Sequence, residues 1–209
     1  MESNFSKNNG EKSTKEKILD AALELISLYG YKGASVRKIA KAVGIRESAI
    51  YNHFKNKEEI FKEIMKDLFS SPFADFFERK PVSESAKRGK RFLSEYAASI
   101  KLITFDVKNE KFFKIILLEL MQNSEVRELF LKYFYQDNIK KLSEAFFVMM
   151  QEGLIKHSDP MLMAQEFFAP LFYYRLHVTL LRLDNKPTTL LSTIFEKHVD
   201  FFWESITLN

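Results

Sequence analysis

The sequence predicts an all-α protein, and three observations carry that prediction. Six Gly and five Pro among 209 residues are too few for a hairpin-rich β chain. Apolar residues recur at three- and four-residue spacing through most of the chain, the period of a helix with one buried face. The breaks in that pattern fall at Gly, Asn, Asp, Ser and Pro, which cap or stop helices. The composition also bounds the chemistry: no Cys is present, which removes disulfides, thiolate zinc sites and cysteine nucleophiles. His53, His157, His177 and His198 lack metal-ligand spacing, and neither a nucleophile elbow nor a glycine-rich phosphate loop occurs. No catalytic residue, metal or cofactor is therefore expected. No stretch reaches the roughly 18–20 apolar residues of a membrane span, and the start lacks the apolar run of a signal peptide. Both fit a cytoplasmic protein with no membrane partner.

Each element follows from local signals. Residues 1–12, rich in Asn, Ser and Lys, read as a disordered arm. Ser13-Thr14-Lys15-Glu16 has the form of a capping box and opens a helix carrying Ile18, Ala21, Ala22, Leu25, Ile26 and Tyr29 inward, stopped at Gly30. Ser35 caps a second helix whose inner face is Val36, Ile39, Ala40 and Val43, and Gly44 ends it. A third helix runs from Glu47 to Phe54, and Asn56 begins a fourth with Ile60, Ile64 and Leu68 inward. Two short helices joined by a tight turn containing Gly make a helix-turn-helix, expected over 13–58. A connecting helix and linker follow over 59–84, broken at Ser70-Ser71-Pro72 and again from Arg79 to Ser85. The rest, 85–209, shows helical patterns at 85–107, 110–122, 125–152, 159–183 and 188–206. The cluster Lys87 to Arg91 reads as a solvated helix start, and Pro170 predicts a kink or interruption.

Charge gives the first functional clue. Between Ser35 and Lys57 stand Arg37, Lys38, Lys41, Arg46, Lys55 and Lys57 against Glu47 alone, a local excess of +5 where the whole chain carries +4. In a helix-turn-helix the second helix enters the DNA major groove and the first crosses the backbone. Ser35 then offers its hydroxyl and free amides to a phosphate. Arg37 reaches a base with a fork that matches guanine, and Asn52 pairs with adenine or holds a phosphate. Tyr51, His53 and Lys57 read as backbone clamps. Singly, each has a plainer role open to it, Tyr51 as packing and His53 as a surface histidine. Together with the local charge they point to double-stranded DNA.

These residues also carry a family likeness. Ile18-Leu19-Asp20-Ala21-Ala22, Tyr29-Gly30-Tyr31, Ser35-Val36-Arg37-Lys38-Ile39-Ala40, Val43-Gly44-Ile45, Ile50-Tyr51-Asn52-His53-Phe54 and Asn56-Lys57-Glu58 closely resemble the DNA-binding domain of the tetracycline-repressor (TetR) family. The likeness covers about the first third of the chain. It implies an all-helical homodimeric transcriptional regulator, usually a repressor, released from a palindromic operator by a small ligand. It further implies that Arg37, Glu47, Ser48, Ala49 and Asn52 face bases, while Ser35, Tyr51, His53 and Lys57 hold phosphates. The sequence departs from the pattern at Arg46, where a capping Ser is frequent, and at Ala49, where Thr is frequent. The lost cap costs about 1 kcal/mol of helix stability, and Arg46 gains reach to a phosphate.

The larger segment holds 14 of the 21 Phe. Helices over 159–183 and 188–206 are apolar on more than one face, which requires cover on both sides. They are expected to pack with their twins as a dimer seam through Phe168, Leu171, Leu191, Phe195 and Phe202. A chamber for an apolar or aromatic effector is expected among Phe105, Phe112, Phe113, Leu117, Met121, Phe134, Phe146, Met150, Phe168, Phe172 and His177, because thioethers adapt and rings stack. The function expected is a ligand-responsive DNA-binding regulator. A helix-turn-helix regulator controlled by a protein partner, or a helical enzyme using Glu119, are the alternatives.

Overall fold

The computed structural model describes residues 12–69, 76–78 and 80–208, with the side chains of residues 68, 69, 134 and 135 outside the description. The described residues contain helices and no strand. They fall into two compact units divided between Lys66 and Asp67. All of the expected arm but Lys12, the break at Ser70-Ser71-Pro72 and the inward Leu68 side chain lie outside what is described.

The first unit is built from strong local signals. In α1 (Thr14–Gly33) the Ser13 hydroxyl accepts the Glu16 amide at 3.2 Å, and the Ser13 amide donates to the Glu16 carboxylate at 2.8 Å. The helical backbone is interrupted at Gly30, where φ is 69°. α2 (Val36–Val43) starts with the Ser35 hydroxyl accepting the Lys38 amide at 3.2 Å and stops at Gly44, whose φ of 80° and ψ of 28° are left-handed. α3 (Glu47–Ile50) is shorter than the expected Glu47–Phe54, and Arg46 makes no side-chain cap. α4 (Lys57–Phe69) begins with Asn56 accepting the Glu59 amide at 2.9 Å. Ile18, Ala22, Leu23, Ile26, Ile39, Ala40, Ile50, Phe54, Ile60, Phe61 and Ile64 form the core. Tyr29, expected inward, is 59% exposed. The buried arc of α1 centres on Ala22, Leu23 and Ile26, and Tyr29 lies at its edge in the last turn.

The second unit runs through α5 (Val82–Ser85), a 3₁₀ turn at Ala86–Arg88, α6 (Lys90–Phe105), α7 (Val107–Glu119), α8 (Ser124–Leu129), a π-helical stretch Phe130–Gln136, α9 (Asp137–Gln151), α10 (Pro160–Leu183), a 3₁₀ turn Thr189–Thr193 and α11 (Ile194–Ile206). The break between α6 and α7 comes at Asp106 and not at Lys108-Asn109, because Asp106 accepts the Asn109 amide at 2.7 Å. Asp159 caps α10 with Pro160 in its first turn. α10 continues helically through Pro170, since burial of Phe167, Phe168 and Leu171 around it offsets the missing amide bond. The basic cluster is surface-paired, Lys87 with Glu152, Arg88 and Arg91 with Glu95, and Lys90 with Asp200.

Leu93, Tyr96 and Ala97 of α6, Leu142, Phe146 and Met149 of α9, Phe167 and Leu171 of α10, and Phe195 and Phe202 of α11 meet in one core. Phe76 and Phe77, from the stretch read as linker, join it with ring centroids 5.3 and 5.7 Å from Tyr96. His198 is buried there too, its Nε2 at 2.9 Å from the Phe167 carbonyl oxygen. Burial pulls its pKa below the usual imidazole value, against the opposing effect of that hydrogen bond.

Two predictions follow from this core. Gly89 opens α6 at a φ of 55° and ψ of −125°, and a Cβ there would lie 2.9 Å from the Trp203 ring. Gly89→Ala should therefore cost about 1–3 kcal/mol, read as a lower urea midpoint or melting temperature. For His198, the folded chain binds a proton less readily than the unfolded one. Stability is full above the unfolded pKa and falls as pH drops below about 6.5. The melting temperature should decline between pH 7.5 and 5.5, and His198→Gln should flatten that decline.

Candidate functional site

In the first unit, a capped and core-anchored helix pair presents polar side chains to solvent. Ser35, Arg37, Arg46, Glu47, Ser48, Tyr51, Asn52 and His53 are exposed, whereas Ala49 and Lys57 are half-buried. Ile50 and Phe54, buried beneath them, hold α3 and its following turn to the core. The exposed residues are therefore carried on an anchored backbone, and Arg37, Lys38, Lys41, Arg46 and Lys55 make the surface around them basic. Ser35 uses its hydroxyl on the α2 cap, yet it still sits at the N-terminal end of that helix, where amides point outward.

Lys57 is placed differently from the simple phosphate clamp that its position suggests. Its ammonium donates to the carbonyl oxygens of Tyr31 and Ala34, each at 2.8 Å, and lies 4.0 Å from the Tyr31 ring centroid. Lys38 donates to the Gly33 carbonyl at 2.8 Å and stands over the Tyr29 ring. Two cations thus tie down the turn that delivers Ser35. The sequence shows both lysines as members of a charged patch, and only the folded turn shows which carbonyls they meet.

In the second unit the expected chamber residues divide among several places. Phe113, Phe168 and Phe172 come together, with Phe113 and Phe168 ring centroids 5.7 and 6.3 Å from Phe172. Arg175 is buried against them, 4.3 Å over Phe113 and donating to the Asn109 carbonyl at 3.2 Å. Burial pushes its pKa down to about 9, so it stays cationic at neutral pH. Phe112 is buried in α7, and Phe146 and Met150 belong to the main core. Leu117 is half-buried, and so is His177, which lies beside the Tyr173 ring. The Phe134 side chain lies outside the described residues. Met121 is 88% exposed, because α7 has ended at Glu119 and the residue sits on the turn beyond it.

A groove of about 1140 Å³ lies along α6, lined by Phe76, Phe77, Phe92, Leu102, Ile103 and Phe105, with Arg88, Lys101 and Lys108 among its polar lining. Of the expected chamber residues, Phe105 reaches it. Phe76 and Phe77 escaped the sequence reading, although two adjacent rings beyond Pro72 are an odd composition for a linker. A second hollow of about 650 Å³ lies between α10 and α11, lined in part by Leu162, Pro170, Tyr174, Phe201 and Phe202.

The expected seam needs correction. Leu171 and Phe195 are wholly buried within the single chain, and Phe168 and Phe202 nearly so. Such side chains have almost no surface left to give to a second copy. Leu191 is half-buried. The apolar side chains that α10, α11 and the turn between them expose are instead Met161, Leu162, Tyr173, Leu180, Leu183, Leu190 and Phe201, the last two at 92% and 74%.

Residues 18–64 match the family model for bacterial regulatory proteins of the tetR family. The chain is 40% identical over 65 residues to the biofilm operon icaADBC HTH-type negative transcriptional regulator IcaR of Staphylococcus epidermidis, a match covering 31% of this chain and 35% of that one. It is 44% identical over 62 residues to a fatty acid metabolism regulator protein of Bacillus subtilis, covering 30% of each. These matches span about a third of the relatives' own length. Over nearly the full chain it resembles the crystal structure of a transcriptional regulator FadR from Bacillus subtilis in complex with stearoyl-CoA, at 26% identity and a TM-score of 0.64, covering 91% of this chain and 98% of that one. The helix-turn-helix segment thus matches the model for bacterial regulatory proteins of the tetR family, and the helices of nearly the whole chain resemble the fold of a FadR regulator.

Proposed function

We propose that the protein is a homodimeric, ligand-responsive DNA-binding regulator of transcription, a repressor that a small apolar or aromatic effector releases from a palindromic operator. One observation carries this reading: the exposed row of Arg37, Arg46, Glu47, Ser48, Tyr51, Asn52 and His53 on a helix pair anchored by Ile50 and Phe54. Arg37 and Asn52, with Glu47, Ser48 and Ala49, read bases. Ser35, Arg46, Tyr51 and His53 hold phosphates. Lys57 acts by fixing the turn before Ser35, its ammonium being committed to the Tyr31 and Ala34 carbonyls.

The exposed side chains of α10 and α11 support a seam between two copies, Leu162, Leu180, Leu190 and Phe201 being large apolar surface on neighbouring helices. Two-fold symmetry then sets the reading helices about 34–36 Å apart, one turn of DNA. The α6 groove is the effector site in this reading, its lining rich in Phe, with Lys and Arg outnumbering Glu95 and Asp106. The relative crystallised with stearoyl-CoA makes long acyl chains the first class to try. An effector that prefers one arrangement of the dimer lowers DNA affinity reciprocally, and coupling of about 1–3 kcal/mol gives roughly 5–150-fold.

A gel shift with DNA from upstream of the protein's own gene tests the reading. Binding should weaken roughly a thousandfold between 50 and 200 mM salt, and Arg37→Ala should cost about 1–3 kcal/mol at its half-site. A salt-independent shift, or none, counts against DNA regulation. For the seam, sedimentation should show a dimer at micromolar concentration and a monomer for Phe201→Glu; an unchanged dimer places the seam elsewhere.

A further inference from the structure

Asn138 on α9 is 3% exposed. Its Oδ1 accepts a hydrogen bond from the wholly buried Tyr96 hydroxyl at 2.7 Å, while its Nδ2 meets no acceptor among the described residues. The Asn oxygen satisfies the Tyr96 hydroxyl, but the same amide leaves a donor desolvated, a cost that the bond to Tyr96 does not remove. The surroundings are aromatic: the Tyr96 ring centroid is 5.3 Å from Phe76, 5.7 Å from Phe77 and 6.0 Å from Phe167. Phe76 and Phe77 also line the α6 groove, as do Phe92 and Ser99, which lie one turn to either side of Tyr96 on α6. The orphaned amide thus sits at the hydroxyl end of Tyr96, whose ring packs against Phe76 and Phe77, and those two rings line the open groove.

We propose that Tyr96 and Asn138 form the polar end of an effector subsite that joins the α6 groove when the Phe76 and Phe77 rings turn aside. The subsite takes a neutral ligand bearing an acceptor oxygen, a ketone, ester or amide carbonyl, on an apolar or aromatic body. Asn138 Nδ2 supplies the donor that such an oxygen lacks in an apolar chamber. A carboxylate fits badly, because the burial that holds the Tyr96 hydroxyl well above its ordinary pKa penalises any anion placed beside it. This inference rests on reading the groove as the effector site, and it adds which chemical class the site selects.

Benzophenone and diphenylmethane differ by little more than the carbonyl oxygen, and calorimetric titration of both into the full-length protein tests the proposal. Benzophenone should bind about tenfold tighter, the increment of one satisfied buried donor, and 4-benzoylbenzoate should bind more weakly than benzophenone. In Asn138→Leu the tenfold preference should vanish while diphenylmethane binding persists. Irradiation of the wild-type complex should crosslink benzophenone to peptides holding Phe76, Phe77 or Tyr96, a readout that needs no variant. Equal binding of the two compounds, or crosslinking confined to α10 and α11, overturns the subsite and leaves the groove reading standing. If benzophenone, diphenylmethane and stearoyl-CoA all fail to bind, the groove itself is not the effector site, and the subsite falls with it.

Discussion

Four helices of the larger unit meet around the ring of Phe167. Its centroid lies 5.1 Å from Phe202, 5.3 Å from His198 and 6.0 Å from both Tyr96 and Phe146, so α6, α9 and α11 all pack against one side chain of α10. Rings of this size at tilted and edge-on angles fill space that aliphatic side chains would leave open. The polar groups of this core are placed by the same constraint. His198 bonds to the Phe167 carbonyl, and Tyr96 bonds to Asn138 across to α9.

The smaller unit is organised by hydrogen bonds at its helix ends more than by volume. Ser13, Ser35, Gly44 and Asn56 start or stop three of its helices, and the buried isoleucines pin them together. The ammonium groups of Lys38 and Lys57 then close the turn between α1 and α2 by capping its carbonyls. Positive charge has two uses here: some lysines shape the surface that others, with Arg37 and Arg46, make attractive to phosphate. A short α3 without a side-chain cap tolerates this arrangement because Ile50 and Phe54 anchor it from below.

The two units also differ in how polar groups are spent. Around the helix-turn-helix they face water. In the larger unit a few are enclosed in the core: Arg175 lies against Phe113 with its pKa drawn down to about 9, and Asn138 keeps an amide nitrogen unanswered. The groove along α6 is lined by aromatic rings together with charged side chains of both signs, a lining suited to amphipathic molecules.

Helical character, the caps Ser13, Ser35, Gly44, Asn56 and Asp159, and the composition of the basic surface were readable along the chain, because each depends on neighbours within about four positions. That Arg37, Arg46, Glu47, Ser48, Tyr51, Asn52 and His53 stand exposed near one another was readable for the same reason, since they lie close in sequence and on one small scaffold. The larger unit was readable only as helices. Phe195 and Leu171 look like seam residues when apolar faces are counted, yet neighbouring helices of the same chain bury them, leaving Leu190 and Phe201 outside. Phe76 and Phe77 look like linker until α6 and α9 supply a place for them. Periodicity says that a side chain must be covered; which helix covers it, and where a groove or an orphaned amide remains, is a matter of contacts between residues dozens of positions apart. Those contacts arise only when the helices pack.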